Sequence, residues 1–473
     1  MTDRIRRTKI VATLGPSCRP PGVLDRLVAA GVDVFRVNLS HATLAELDEW
    51  VRLVRSSAAT HDRTVGVLAD LQGPKLRIGG LAGHQPVTLT TGSAVEITTR
   101  DVEGTSERLS TRYAALPRDV KPGDRILLAD GTVELRVEAI DGDSVRCVVV
   151  HGGTIKEHAG MNLPGVAVSS PALTEKDRVD LEHAVRAGVD FIALSFVRKP
   201  ADIVEAKTAV AAAGGDTPVI AKIERPEAID HLDDIINASD AVMVARGDLG
   251  VEMLPERVPM LQKLIIKRSG ALLKPVITAT QMLESMVHST RPTRAEASDV
   301  ANAIIDGTDA IMLSEETAAG EYPLETVETM VRIALETEEF FPPRVRRSLR
   351  VDSDSHAISH AACSITESID VRCIAAFTNS GFSARIVSKD RPRVPIYAFA
   401  PNETIGRRLC LDWGVIPCLA TFRGTTEKLI ATVEASLVSR GAVIPGEAVV
   451  IVGGTPMGVR GKTNFLKIVR PGT

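Results

Sequence analysis

Aromatic side chains are scarce in this chain. Phe, Tyr and Trp together make up 3% of it, too few for stacking on bases or sugar rings to be a main mode of recognition. The six cysteines (Cys18, Cys147, Cys363, Cys373, Cys410 and Cys418) show no C-x-x-C pair and no compact spacing. That argues against a zinc site and a disulfide scaffold, and fits a reducing cytoplasm. Excess charge of one sign is missing too: the formal net charge is -4, which gives no electrostatic case for binding nucleic acid or an anionic membrane. No apolar run approaches the roughly 18 residues of a membrane span. The start, "MTDRIRRTKIVATLGPS", is basic like a signal peptide, but its apolar stretch is only "KIVATLG" and no small-residue cleavage site follows, so a first strand is expected. No low-complexity tract and no internal repeat is apparent.

What is present has the composition of a globular protein, with 44% hydrophobic and 25% charged residues over 473 positions, room for two to four domains. Short apolar runs alternate with amphipathic helical patterns such as "LDRLVAAG", "KDRVDLEHAVRAG" and "LETVETMVRIALETEEF". This is the rhythm of βα units around a parallel sheet. Eight runs qualify as strands: "KIVATL", "VFRVNL", "VGVLAD", "FIALSF", "VIAKIE", "AVMVA", "PVITAT" and "AIMLSE".

One interval breaks the rhythm. Between about Gly73 and Ser170, "QPVTLTTGSAVEITT", "GDRILLADGTVELRVEAI" and "DSVRCVVVHGG" are strand patterns separated by D-G, G-D and G-G turns, with no helix pattern. An all-β domain inserted after the third strand is expected at 73–170. Residues 1–72 and 171–341 then hold the eight βα units, about the ~250 residues of a (β/α)8 TIM barrel. After the proline- and arginine-rich "FFPPRVRRSLR", residues 355–473 read as a further α/β domain with strands "IAAFTN", "IYAFA", "VIPCLA" and "AVVIVGG".

In such a barrel the active site lies where the strands end. Here the second strand ends at Arg36, Asn38, Ser40 and His41, the third at Asp70, the fourth at Ser195 and the fifth at Lys222 and Glu224. The sixth runs into Arg246, Gly247 and Asp248, the seventh ends in Thr280, and the eighth in Ser314, Glu315 and Glu316. Lys222 and Glu224 are two positions apart, so a strand turns them to the same side. If Glu224 and Asp248 converge to about 4 Å they repel by roughly 4 kcal/mol at an effective dielectric near 20. A divalent cation would reverse that sign, and carboxylates with few nitrogen or sulfur neighbours suit Mg²⁺, with Mn²⁺ as a substitute. The alternative is two separate ion pairs, with Lys222 and with Arg246. The glycine-bearing "ARGDLG" reads as a loop leading toward a helix, with backbone N–H groups for a small anion such as a carboxylate. Lys222 and Arg36 are cations placed for phosphoryl oxygens.

These residues sit in motifs that resemble, in order, those of the pyruvate kinase family: "TKIVATLGPS", "FRVNLSH", "DLQGPKLR", "NLPG", "ALSFVRKP", "AKIERPEAI", "VARGDLGVE", "ATQMLESM", "PTRAEASDVANAIIDG" and "SEETAAGEYP". The resemblance runs from Thr8 to near the C-terminus. It implies a barrel with an inserted lid and a C-terminal regulatory domain, converting phosphoenolpyruvate and ADP to pyruvate and ATP in glycolysis. It implies that Glu224 and Asp248 hold Mg²⁺, that Gly247 and Asp248 receive the substrate carboxylate, and that Lys222 stabilises the phosphoryl group in flight. Arg36 would help hold the phosphate, Thr280 would stand near proton delivery to the enolpyruvate, and Asn38, His41 and Arg77 would face the nucleotide. The family's usual homotetramer is implied as well.

Two departures stand out. Members that require K⁺ read D-T-K-G-P-E in the third-strand motif, whereas this chain has "DLQGPK", with Leu71, Gln72 and Lys75. A lysine there supplies a fixed positive charge in place of the monovalent cation, so Asn38, Ser40, Asp70 and Leu71 are expected at the K⁺ position with K⁺ dispensable. The alternative is a Lys75 directed to solvent and K⁺ bound as usual. The family's K-G-x-N-L-P-G lysine is here Ala159, in "KEHAGMNLPG", which leaves Lys156 as its substitute from the lid.

In the last domain "FTNSGFSA" resembles a phosphate loop for sugar-phosphate effectors, with AMP as another candidate. Thr378, Asn379, Ser380 and Ser383 offer donors and Gly381 a tight turn. An ordinary strand-to-helix cap is the alternative. "RGKTN" is no P-loop, because the first Walker glycine would fall on Pro456. Two rival readings of the whole chain are a Mg²⁺-dependent enolate-forming lyase on a similar barrel, and a catalytically inactive metabolite sensor. The lyase leaves the lid and Lys222 unexplained. The sensor predicts loss of Lys222, Glu224, Asp248 or Thr280, and all four are present.

Overall fold

The computed structural model describes residues 5–166, 168–342, 353–421, 425–455 and 463–472. Most of the linker "FFPPRVRRSLR" and the excluded P-loop positions Pro456 and Gly461 lie outside them. Eight parallel strands close into a barrel in sequential order: Lys9–Thr13, Val34–Asn38, Gly66–Asp70, Phe191–Leu194, Val219–Ile223, Ala241–Ala245, Val276–Ala279 and Ala310–Leu313. All eight expected runs are strands, because fully buried parallel strands need near-continuous apolar sequence. Threonine capping boxes start three of the outer helices: Thr43 with Glu46, Thr174 with Asp177, and Thr293 with Glu296.

The barrel carries a recurring single-residue device. An aspartate stands immediately before every even-numbered strand, in "GVDVF", "GVDFI", "ASDAV" and "GTDAI". The carboxylates of Asp33, Asp190, Asp240 and Asp309 accept the N–H of Ile10, Val67, Val219 and Val276 at 2.8, 2.8, 2.9 and 2.8 Å. Each aspartate N–H donates back to the carbonyl of the same residue. Every odd strand is thus stitched to the even strand that follows it, at the end opposite the candidate site.

Between Asp70 and Phe191 the chain builds a six-stranded sheet and a two-stranded ribbon, not a closed barrel, with their own apolar core from Ile78 to Val166. The expectation of no helix at 73–170 fails at two short turns, the 3-10 turn Ala82–His84 and the α-helical turn Leu116–Asp119. The entering stalk turns at Gly73, whose φ is +67°. A Cβ there would lie 2.7 Å from the Phe196 ring and 2.9 Å from Ser195 Cβ, so no other residue fits this turn.

The C-terminal unit is a five-stranded sheet, one strand more than expected. The additional strand, Phe465–Val469, pairs antiparallel with Ala448–Gly453. This unit docks under the barrel floor. Lys389 Nζ and Arg391 Nη2 reach Asp309 at 2.6 and 3.0 Å, Arg407 Nε reaches Asp190 at 2.8 Å, and Lys9 Nζ donates to the Val415 carbonyl at 2.7 Å. Cys410 and Leu411 join the apolar cluster inside the barrel with Val11, Val34 and Leu68.

Candidate active site

The C-terminal strand ends converge as anticipated. Lys222, on the fifth strand, is buried, and its Nζ lies 2.9 Å from Glu224 Oε1, 3.2 Å from Asp70 Oδ1 and 2.8 Å from Ser195 Oγ, to which it donates. Arg36 Nε donates to Asp70 Oδ2 at 2.6 Å and its Nη1 to Thr13 Oγ1 at 3.2 Å. Asp70 sits between two cations. Burial opposes its charge, yet Lys222 and Arg36 together hold it below the usual carboxylate range. Lys222 is held firmly protonated, burial being outweighed by Asp70 and Glu224.

Glu224 behaves differently. Burial pushes it up, Lys222 pulls it down, and the Asp248 carboxylate pushes it up again. Its other oxygen accepts the Phe196 N–H at 2.8 Å. Phe196 holds that N–H in place with a φ of +57°, a sparsely populated conformation typical of functional sites. This donor has no signature in the sequence, since any residue carries a backbone N–H. Ser195, noted only as a strand end, orients Lys222 and donates in turn to the Leu71 carbonyl at 2.7 Å.

The "ARGDLG" segment corrects the loop expectation. Arg246–Glu252 is itself a helix that starts directly at the sixth strand. Arg246 does not pair with Asp248. Its Nη1 meets Asp299 Oδ2 at 2.6 Å, while Nη2 donates to the Thr280 carbonyl at 2.7 Å and Nε to the Ala279 carbonyl at 3.2 Å. It thereby clamps a turn in which Thr280 and Gln281 have φ values of +70° and +52°. The Gly247 N–H donates to Thr280 Oγ1 at 2.7 Å.

The set Glu224 and Asp248 fits Mg²⁺: two oxygen donors, one of them destabilised as an anion by the other. No group of three or more His, Cys, Asp or Glu suited to a metal occurs among the described residues. A hard cation held by one or two carboxylates completes its shell with substrate oxygens and water.

Other sites are peripheral to this cluster. His41 feels burial and the charges of Arg77, Lys75 and Arg36, which together lower its pKa. Arg77, at the base of the lid, donates to the His158 carbonyl at 2.9 Å. Asn38 Oδ1 accepts the Ser40 N–H at 3.1 Å. Lys75 is half-buried and lines a small cavity between lid and barrel with Asp248, Phe196 and Glu252. Ala159 follows the exposed Lys156 by one tight turn. In the last domain Gly381, with φ +89°, precedes helix Phe382–Lys389, and Ser383 Oγ lies 2.8 Å from Thr463 Oγ1. Thr378 is buried and Ser380 exposed beside Asn379.

Residues 5–327 match the pyruvate kinase barrel domain and residues 356–469 the pyruvate kinase alpha/beta domain. The chain belongs to the pyruvate kinase family. It is 45% identical over 470 residues to a pyruvate kinase of Corynebacterium glutamicum, covering 98% of this chain and 97% of that one. It is 44% identical over 475 residues to one of Mycobacterium intracellulare, covering 99% of each. A crystal structure of a Cryptosporidium parvum pyruvate kinase superposes with a TM-score of 0.92 at 35% identity, over 98% of this chain and 96% of that one. The chain is a phosphotransferase with pyruvate kinase function.

Proposed function

We propose that the strand-end cluster moves the phosphoryl group of phosphoenolpyruvate to ADP, and that Lys222 is the residue on which transfer turns. The observation that carries this reading is a buried ammonium 2.9 Å from Glu224, a carboxylate that Asp248 destabilises. Such a site suits a divalent cation at its carboxylates and offers positive charge to a phosphoryl group. Mg²⁺, held by Glu224 and Asp248, would neutralise charge across substrate and phosphoryl oxygens. Mn²⁺ is the expected replacement.

In this reading Arg36 and Lys222 bind the phosphoryl oxygens, and Lys222 follows the group as charge develops on it. The substrate carboxylate takes the Gly247 and Asp248 N–H groups. The Gly247 N–H is donated to Thr280 Oγ1 in the free protein, so substrate binding exchanges that bond, while the Thr280 O–H donates to the Ala279 carbonyl at 2.6 Å. The phosphoryl group leaves for the terminal phosphate oxygen of ADP. The enolate left behind takes a proton near Thr280 and becomes pyruvate. Asn38, His41 and Arg77 face the nucleotide, with Lys156 serving in place of the missing lysine at Ala159.

Family members use Mg²⁺ and K⁺. Here we propose that Lys75 stands in for K⁺ at Asn38, Ser40, Asp70 and Leu71. Its half-buried place in the cavity between lid and barrel and the reach of its charge to His41 support this. A sugar phosphate or AMP at Thr378–Ser383, and a cytoplasmic homotetramer, complete the proposal. The exposed Leu254, Met260 and Leu264 support an assembly, and six free, buried cysteines support a reducing compartment. No helix among the described residues is long and apolar enough to cross a membrane.

The deciding experiment is pyruvate release from phosphoenolpyruvate and ADP with Mg²⁺, first without and then with K⁺. Full activity in both supports the transfer and the role of Lys75. Activity only with K⁺ keeps the transfer and removes Lys75. No activity in either, even with sugar phosphates and AMP added, favours the sensor.

A further inference from the structure

The returning stalk of the lid is fastened to the barrel by charged groups that no step of the transfer uses. Arg225 follows Glu224 directly and is buried. Its Nη1 donates to Glu252 Oε1 at 2.6 Å and its Nη2 to the Val166 carbonyl at 3.2 Å. From the lid, Asn162 Nδ2 donates to the same Glu252 Oε1 at 2.9 Å. Arg198, in the loop after the fourth strand, donates to the carbonyls of Val168 and Ser170 in the same stalk.

Glu252 ends the short helix Arg246–Glu252, four residues after Asp248. That spacing puts both on one helix face, and both line the cavity shared with Lys75 and Phe196. Glu252 is buried, and its Oε2 has no hydrogen-bond partner among the described residues. A carboxylate half-satisfied in such a place is a costly way to fill space, since an apolar side chain of similar volume would often be more stable. Its two donors come from different bodies, one from the barrel and one from the lid.

We propose that Glu252 is a positioning residue: through Arg225 and Asn162 it locks the lid stalk to the helix that carries Asp248, so that lid closure and metal-ligand placement are one event. The functional consequence rests on Asp248 holding the metal, whereas the mechanical link does not. Displacing Asn162 leaves Arg225 as the helix end's one tether among the two, and the Asp248 carboxylate is held less firmly opposite Glu224.

Asn162→Ala removes only the lid's part of the lock and leaves the Arg225–Glu252 pair in the barrel, so it is the variant to make first. Hydrogen exchange over 246–252 in metal-free protein should quicken, and half-saturating Mg²⁺ and the KM for ADP should each rise roughly tenfold. The thermal midpoint should stay near the wild type. Glu252→Ala should match it in exchange and Mg²⁺ activation but melt earlier, because Arg225 is left buried without that partner. Glu252→Gln should retain most function because its amide oxygen still accepts, and Asn162→Ala should add little on top of Glu252→Ala. Unchanged exchange at 246–252, or fully additive effects, would overturn the lock. Faster exchange with unchanged Mg²⁺ activation would support the lock and overturn Asp248 as the metal ligand.

Discussion

Lys222 Nζ and Asp70 Oδ1 stand 3.2 Å apart across the barrel mouth, and Asp70 is held on its other side by Arg36 at 2.6 Å. One carboxylate thus sets the spacing of the two cations assigned to the phosphoryl group. Neither long side chain then needs to be ordered at the moment of transfer, which is where preorganised charge acts most strongly.

Replacing Lys222 by Met should therefore lower kcat by roughly 10²–10³-fold while the KM for phosphoenolpyruvate changes far less. Stability should fall too, because Glu224 is left as a buried charge without its counter-ion and Asp70 keeps only Arg36, a loss of about 3–5 kcal/mol for a broken buried pair. Steady-state kinetics normalised to folded protein will separate the two effects. An unchanged kcat would remove Lys222 from the transfer.

Lys75→Glu restores the residue found in K⁺-requiring members. The wild type should show the same rate with and without K⁺, and the variant should gain a K⁺ requirement. Titrating K⁺ against both proteins at fixed Mg²⁺ tests this. A wild type that already needs K⁺ would mean that Lys75 does not act as the fixed cation.

Gly73→Ala should cost about 1–3 kcal/mol for its left-handed backbone, and more for the contact, because the new methyl would meet the Phe196 ring at 2.7 Å. The same residue's backbone N–H holds Glu224, so a backbone shift that relieves the contact would disturb the carboxylate. Mg²⁺ activation should therefore weaken together with stability. Denaturant unfolding and Mg²⁺ titration of the one variant check both halves.

The barrel floor gives a pH dependence. Asp309 and Asp33 are held below the usual value of 3.8, against burial, chiefly by Lys389 and by Arg6 respectively. A carboxylate whose folded value is depressed contributes stability that is present above the unfolded value and lost as pH falls through the folded one. Unfolding free energy should thus drop steeply below about pH 4. Asp309→Asn should flatten that slope and destabilise the protein at neutral pH, because Lys389 and Arg391 lose their partner. Denaturant melts between pH 6 and pH 3 test it, and identical slopes would refute it.

The eight strands and nearly all their polar ends could be read directly, because buried parallel strands need unbroken apolar runs and a charge at the end of one is conspicuous. Phe196 could not be found this way, since its contribution is a backbone N–H fixed by an unusual φ. Glycines 247 and 250 made a loop of what is a helix, its start set by tertiary packing against the sixth strand rather than by propensity. The strand "FLKIV" was missed because an edge strand tolerates Lys467 on its open face. The aspartate repeat escaped because its members are single residues in otherwise different surroundings, and only the hydrogen bonds show them to be equivalent.

The stitch from Asp190 to Val67 spans the whole insertion, joining residues 123 apart in sequence, and none of the eight barrel pairings draws on residues 73–170. The ring is complete without its lid. What hangs from the third strand is a module on two stalks, free to diverge in size and sequence beyond the contacts those stalks keep, while the ring beneath keeps its dimensions.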